Sequence, residues 1–239
     1  MTVSLEIVDD PASACAALMV GAAAAGGAIV LTGGSTPRAA YQHFVEAVDQ
    51  VGIDLARTTF WVGDERCVDP EDDRSNAKMI TESLLAPLGD RAPRFHRMKG
   101  ELGPEEGAAD YERELREAGG AVFDLLLLGI GPDGHCASLF PGQPSLNERE
   151  RLVVGVPEAG LEPFVPRISL TLPALVAADQ VVFLATGESK ANAIARAFGP
   201  DAAPDPQTPA SLLVPEAKTI SVLIDDAAAS ELHFTGEPQ

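Results

Sequence analysis

The residues best placed to do chemistry lie at 131–136, which read GPDGHC. The apolar run Leu125–Leu128 that precedes them is too short for a helix and is broken by Gly129 and Gly131, the pattern of a buried parallel strand. Pro132, Asp133 and Gly134 then impose a turn, so His135 emerges at the carboxyl end of a strand, where open α/β sheets place their ligands. An imidazole, ordinarily titrating at about 6.5, is suited to take a proton from water near neutral pH. Asp133 either orients that imidazole or a substrate hydroxyl, or bonds only the backbone of its own turn. His43, His96 and His233 fall outside any motif, and Cys136 reads as a small residue opening a helical turn rather than a nucleophile.

Two further loops carry polar groups at strand ends. At 33–36, Gly33 and Gly34 allow close backbone approach, while Ser35 and Thr36 begin a helix whose free N–H groups and positive dipole end suit a phosphate; the same residues also describe an ordinary capped helix. At 64–66, Asp64, Glu65 and Arg66 follow the apolar segment FWV. There Arg66 is a candidate contact for phosphate or carboxylate, and Asp64 a candidate acid lining the site. Asp64, Asp133 and His135 lack zinc-type spacing, so no metal is expected, and no cofactor.

Bringing these loops to one edge requires strands alternating with helices. Strands are expected at Val3–Val8, Ala28–Thr32, Thr58–Val62, 124–130, Leu152–Val156, the start of PRISLTLPAL, Gln180–Thr186 and Thr219–Ile224. Asp10 and Pro11 cap an alanine-rich helix to about Ala25. Further helices follow the glycine loop, with Ala40, Tyr41, Phe44, Val45 and Val48 on one stripe, and span Asn76–Leu88 and Pro104–Ala118. Another continues through GESKANAIARAF, and a short terminal one starts at Asp225, while 63–75 and 199–209 read as loops. The alternation predicts an α/β fold, Rossmann-like and doubly wound, with a mainly parallel sheet, helices on both faces, and residues 1–239 as a single domain.

Composition narrows the partners. With 17 basic and 36 acidic residues the net charge is -19, which argues against nucleic acid and anionic membranes, both of which need a basic face. A local cluster of cations can still bind a small anion, since repulsion is screened over roughly 8 Å at physiological salt. The uncharged stretch from Ala14 to Leu31 is alanine- and glycine-rich and is cut by Gly26 and Gly27, so it reads as helix, turn and strand rather than a membrane span or signal peptide. Cys15, Cys67 and Cys136 are isolated, as reduced thiols in a cytoplasmic protein would be.

GIGPDGHCASLFP, with LTGGSTP at 31–37 and FWVGDER at 60–66, resembles the 6-phosphogluconolactonases of the pentose phosphate pathway. The resemblance implies hydrolysis of 6-phosphoglucono-δ-lactone, with water activated by His135, and makes the 33–36 loop, Asp64 and Arg66 parts of the site. It also singles out Arg167, in PRISLT, and Lys190, in TGESKA, as ligands of the phosphate or sugar acid; on their own both would read as surface cations. Glucosamine-6-phosphate deaminase/isomerases resemble the chain in the glycine loop and the DGH, but carry a carboxylate five residues after the histidine, where this chain has Phe140. A sugar-phosphate sensor of the same fold is a third reading, disfavoured by the acidic charge and the absence of an N-terminal DNA-binding extension.

Overall fold

Leu125, Leu126, Leu127 and Leu128 are all buried, in the middle of a seven-stranded sheet. The computed structural model of the chain describes residues 2–233. In chain order its elements are β1 (Thr2–Ile7), α1 (Pro11–Ala24), β2 (Ala28–Leu31), α2 (Ser35–Val51), β3 (Thr59–Val62), β4 (Asp64–Arg66) and α3 (Asn76–Ile80). A π turn (Thr81–Leu85) joins α3 to α4 (Ala86–Leu88), and β5 (Arg94–Phe95), α5 (Pro104–Glu117), β6 (Leu125–Leu128), β7 (Val153–Val156) and β8 (Arg167–Leu170) follow. The last are α6 (Leu172–Val176), β9 (Gln180–Ala185), α7 (Ala191–Phe198) and β10 (Thr219–Ile224).

The large sheet has the order β1-β10-β9-β6-β2-β3-β5, and every neighbouring pair is parallel. From β2 the chain winds outward through β3 to β5, returns to β6 beside β2, and then winds the other way through β9 and β10. The carboxyl ends of β2 and β6 therefore feed loops that diverge, which opens a crevice between them.

Alternate residues of each strand serve opposite faces. Ile29, Leu31, Phe60, Val62, Leu125 and Leu127 pack with Met19, Phe44 and Ile80 of α1, α2 and α3. Val30, Trp61, Leu126, Leu128 and Phe183 pack on the other face with Tyr111, Leu115 and Ile194 of α5 and α7. Each such aliphatic or aromatic side chain removed from water contributes about 1.5–3 kcal/mol. The expected cap of α1 is present: the Asp10 carboxylate accepts the Ser13 amide at 3.0 Å, ahead of Pro11. The stretch Ala14–Leu31 divides into α1 and β2, and no helix among the described residues is long and apolar enough to cross a membrane.

Four features differ from the sequence reading. The edge strand β5 has no counterpart in it. The polar segment after β3 contains a strand, β4, which joins β8 and β7 in a separate antiparallel sheet of order β4-β8-β7. The residues after Asp225 form turns rather than a helix, with one i→i−4 bond (Ala229 N to Asp225 O, 3.1 Å) followed by i→i−3 bonds. The Asp225 carboxylate is also engaged elsewhere, accepting the Gly187 amide at 3.0 Å. Cys136 opens no helical turn: it bridges Leu139 across a tight turn in which Ala137 takes φ 49.

Candidate active site

The carboxyl ends of four adjacent strands, β9, β6, β2 and β3, converge on a cleft of about 430 Å³. Gly33, Gly34, Ser35, Thr36, Asp64, Arg66, His135, Arg167 and Lys190 all line it. Asp133 stands one step behind, against His135. The fold thus gathers every side chain that the sequence singled out, from segments more than 150 residues apart.

The glycine loop is fixed from beneath by Tyr41, whose hydroxyl accepts the Thr32 amide at 2.9 Å and donates to the Thr32 carbonyl at 2.7 Å. Gly34 caps α2 without a side chain, so the first-turn amides of Ser35 and Thr36 have no acceptor within the helix; Pro37 has no N–H to offer. The Thr36 hydroxyl meets the Thr186 hydroxyl at 2.9 Å, which joins the loop to the end of β9. Amides at the positive end of a helix beside two hydroxyls can take a phosphate.

In β4, period-two alternation separates the three charged side chains. Glu65 turns to the start of α3, where it accepts the amides of Asn76 (2.8 Å) and Ala77 (2.7 Å) and the Ser75 hydroxyl (3.1 Å). Burial pushes its carboxyl up, against the downward pull of these amides. Asp64 and Arg66 face the cleft. Asp64 is held by the Ser138 hydroxyl at 2.7 Å, and Asn76 Nδ2 donates to its carbonyl at 2.8 Å.

Arg66 lies directly opposite Arg167 in the β4–β8 ladder. Arg66 Nη1 donates to the Arg74 carbonyl, while its Nε is buried without a partner. Arg167, 4% exposed, donates to the carbonyls of Val165 (3.1 Å) and Pro163 (2.8 Å). Burial, and next the charge of Arg66, hold its guanidinium below the usual arginine range. Lys190 lies near the glycine loop; burial lowers its ammonium, partly offset by the charge of Asp133. None of these three cations makes an ion pair among the described residues, in a chain with 36 carboxylates. Cations such as these, one buried and two half-buried and without a carboxylate partner among the described residues, can take an anion from outside.

His135 Nδ1 lies 2.6 Å from Asp133 Oδ1, which also accepts the His135 amide at 3.2 Å. Asp133 therefore both orients the ring and caps the turn. Burial raises its carboxyl, but the hydrogen bonds from the His135 ring and amide hold it below its usual range. A carboxylate there accepts, so Nδ1 carries the proton and Nε2, with no partner among the described residues, is the basic nitrogen. Gly131 has to lack a side chain, because a Cβ would stand 2.0 Å from Nδ1. Phe140 covers the imidazole at a centroid distance of 4.7 Å.

Asn76, Thr186, Leu161 and Glu162 also line the cleft, and Ser138 supports it from behind; none was singled out in the sequence. Thr186 had a signal, its place at a strand end beside TGESK. The others join the site only through tertiary contacts. The Cys136 thiol is buried, and burial pushes it well above the usual range, which removes it as a nucleophile. Among the described residues, no three His, Cys, Asp or Glu side chains are grouped to hold a metal ion.

Residues 6–222 match the family described as glucosamine-6-phosphate isomerases/6-phosphogluconolactonase. The chain belongs to that family. It is 41% identical over 216 residues to the 6-phosphogluconolactonase of Streptomyces coelicolor, an alignment covering 85% of this chain and 81% of the relative. It is 39% identical over 204 residues to the human 6-phosphogluconolactonase, covering 83% and 78%. The structure superposes on the 6-phosphogluconolactonase of Trypanosoma brucei with a TM-score of 0.79, at 26% identity, over 97% of this chain and 98% of the other. The family is the one that the loops of this cleft resemble, and its name covers two chemistries, which the residues around His135 have to separate.

Proposed function

We propose that this protein is a 6-phosphogluconolactonase, hydrolysing 6-phosphoglucono-δ-lactone to 6-phosphogluconate in the pentose phosphate pathway. The observation that carries the reading is the juxtaposition in one cleft of an imidazole–carboxylate pair with three cations that have no carboxylate partner among the described residues.

Asp133 holds His135 with Nδ1 protonated, so Nε2 takes a proton from water as its oxygen attacks the lactone carbonyl carbon. The tetrahedral intermediate collapses with cleavage of the bond from that carbon to the ring oxygen, which receives the proton from the imidazolium. The carboxylic acid that forms then loses its proton to solvent. Asp133 stabilises the imidazolium between the two proton transfers, and donors of the cleft stabilise the oxyanion. The phosphate is taken by the amides of Ser35 and Thr36 together with Lys190, Arg66 and Arg167.

The test is lactone hydrolysis, corrected for the spontaneous reaction, by the wild type and by His135→Ala. The variant is expected to bind 6-phosphogluconate but to lose most of the turnover. Wild-type-like turnover in the variant would remove His135 from the mechanism. Tight binding of 6-phosphogluconate by a wild type without turnover would make the chain a sugar-phosphate-binding protein instead.

A further inference from the structure

The imidazole of His135 is confined on three sides. Asp133 holds Nδ1 at 2.6 Å, Gly131 lies where its missing Cβ would otherwise collide with the ring, and Phe140 lies at 4.7 Å with the planes inclined by 46°. Phe140, 2% exposed, is itself braced. A Cβ on Gly160 would stand 2.9 Å from Phe140 Cβ and 3.0 Å from its Cγ, so the backbone of the 157–166 segment rests on the root of that side chain. Two residues further on, Glu162 lines the cleft, and the carbonyls of Pro163 and Val165 accept from Arg167.

We infer that Phe140 is a positioning residue for His135, and that Gly160 is the backstop that sets where the phenyl ring rests. The inference rests on the lactonase reading for its kinetic consequence. A single hydrogen bond to Nδ1 leaves the imidazole free to swing about that contact, and the direction of Nε2 decides whether a water between it and the lactone carbon is in line. The Gly131 backbone beside Nδ1 and the Phe140 ring each limit that swing. The 157–166 segment connects this wall to Arg167, so the wall behind the base and an anion-binding guanidinium share one piece of backbone.

Gly160→Ala tests this, because Gly160 does not occupy the positive-φ region and the added methyl acts on the folded site by contact rather than by backbone strain. The variant is expected to lower kcat by roughly tenfold or more while KM for the phosphorylated lactone stays within about twofold. Phe140→Leu, which removes the ring face, should do the same. Adding Gly160→Ala to Phe140→Leu should cost far less than Gly160→Ala does alone, since both act on one contact. Wild-type kcat in either folded single variant, losses that multiply independently, or a loss confined to KM would overturn the inference. Should Gly160→Ala fail to fold by circular dichroism, Phe140→Leu and Phe140→Met decide the matter by the same criteria. The ring-proton resonances of His135, shifted by the phenyl ring current in the wild type, provide a readout that needs no turnover: Phe140→Leu has to move them, and unmoved resonances overturn the inference. A wild type without lactonase turnover would count against the functional reading alone.

Discussion

Arg66 and Arg167 occupy directly opposed positions in the β4–β8 ladder, where like charges repel, and no carboxylate pairs with either among the described residues. The free protein carries this repulsion, and a dianion in the cleft relieves it. A charge-assisted contact to phosphate contributes about 1.5–3 kcal/mol, so Arg66→Met should raise KM for the phosphorylated lactone by roughly tenfold to a hundredfold. The melting temperature of the free variant should not fall, whereas the increase produced by saturating 6-phosphogluconate should shrink. A variant that is strongly destabilised while free, yet binds product normally, would make Arg66 a structural residue.

As a ligand of the phosphate on the proposed reading, Lys190 would give this binding a pH dependence of defined sign. Burial lowers its pKa and Asp133 restores only part of the loss, so the ammonium surrenders its proton at a lower pH than an exposed lysine. Affinity for 6-phosphogluconate should therefore be full on the acid side and decline as pH rises through that lowered value, ahead of the ordinary lysine range near about 10.4. Calorimetric titration with the product avoids the alkaline lability of the lactone. In Lys190→Arg, which keeps its charge across the range, the alkaline decline should vanish; a decline of the same size in both proteins would assign it to another group.

The Asp133 carboxyl sits below its usual range, held there by the ring and amide of His135 against the opposing effect of burial. It therefore remains ionised through the pH range in which imidazoles titrate, and in the proposed reaction it would support the imidazolium. Asp133→Asn keeps an oxygen within reach of Nδ1 but removes the charge and permits the wrong tautomer, so kcat should fall on the order of 10²-fold with little change in KM. Unchanged kcat would restrict Asp133 to capping its turn.

Both tyrosines of the chain pin strand ends that lead into the cleft, one from each face of the sheet. Tyr41 holds both polar backbone atoms of Thr32, and Tyr111 accepts the Val62 amide at 2.8 Å and donates to the Val62 carbonyl at 3.1 Å. Tyr41→Phe leaves two buried backbone groups unpaired, at about 1–3 kcal/mol apiece. Denaturant unfolding should register that loss, and KM should rise because the glycine loop starts at Thr32. Unchanged stability would mean that Thr32 finds other partners.

These clamps mark where sequence reasoning ends. The helix stripe placed Tyr41 in the core, yet nothing local to either tyrosine says which carbonyl its hydroxyl meets. The parallel strands and the glycine and histidine loops were legible because apolar runs ended by turn residues encode them within a few residues. β4 was not: its three residues are charged because they face the cleft and the α3 N-terminus, and its partner β8 lies about a hundred positions away, so no hydrophobic period betrays it. Asn76 and Ser138 were missed for the same reason, since their bonds to Asp64 exist only after β3, α3 and the histidine turn have packed. The turn after Asp225 was read as a helix because a capping aspartate and alanines favour one; the structure uses that carboxylate to hold Gly187 as well.

The family name covers isomerases as well as lactonases, and the contact between His135 and Phe140 separates the two. Aldose–ketose isomerisation with loss of ammonia needs acid–base groups for ring opening and for moving a proton between neighbouring carbons. A carboxylate five residues beyond the histidine would pair with the imidazole and supply one of them. Here that position is a buried phenyl ring packed on the imidazole, which can neither accept nor relay a proton. Asp64 and Glu162 also line the cleft, but neither is hydrogen-bonded to His135, and Asp64 is already engaged by Ser138. Lactone hydrolysis asks for less: one base, one water and donors for an anion. Glucosamine 6-phosphate should therefore bind through its phosphate and inhibit competitively, with no ammonia released under conditions that turn the lactone over rapidly. A coupled glutamate dehydrogenase assay run alongside the lactonase assay measures both, and robust deamination would overturn the lactonase reading together with the role given to Phe140.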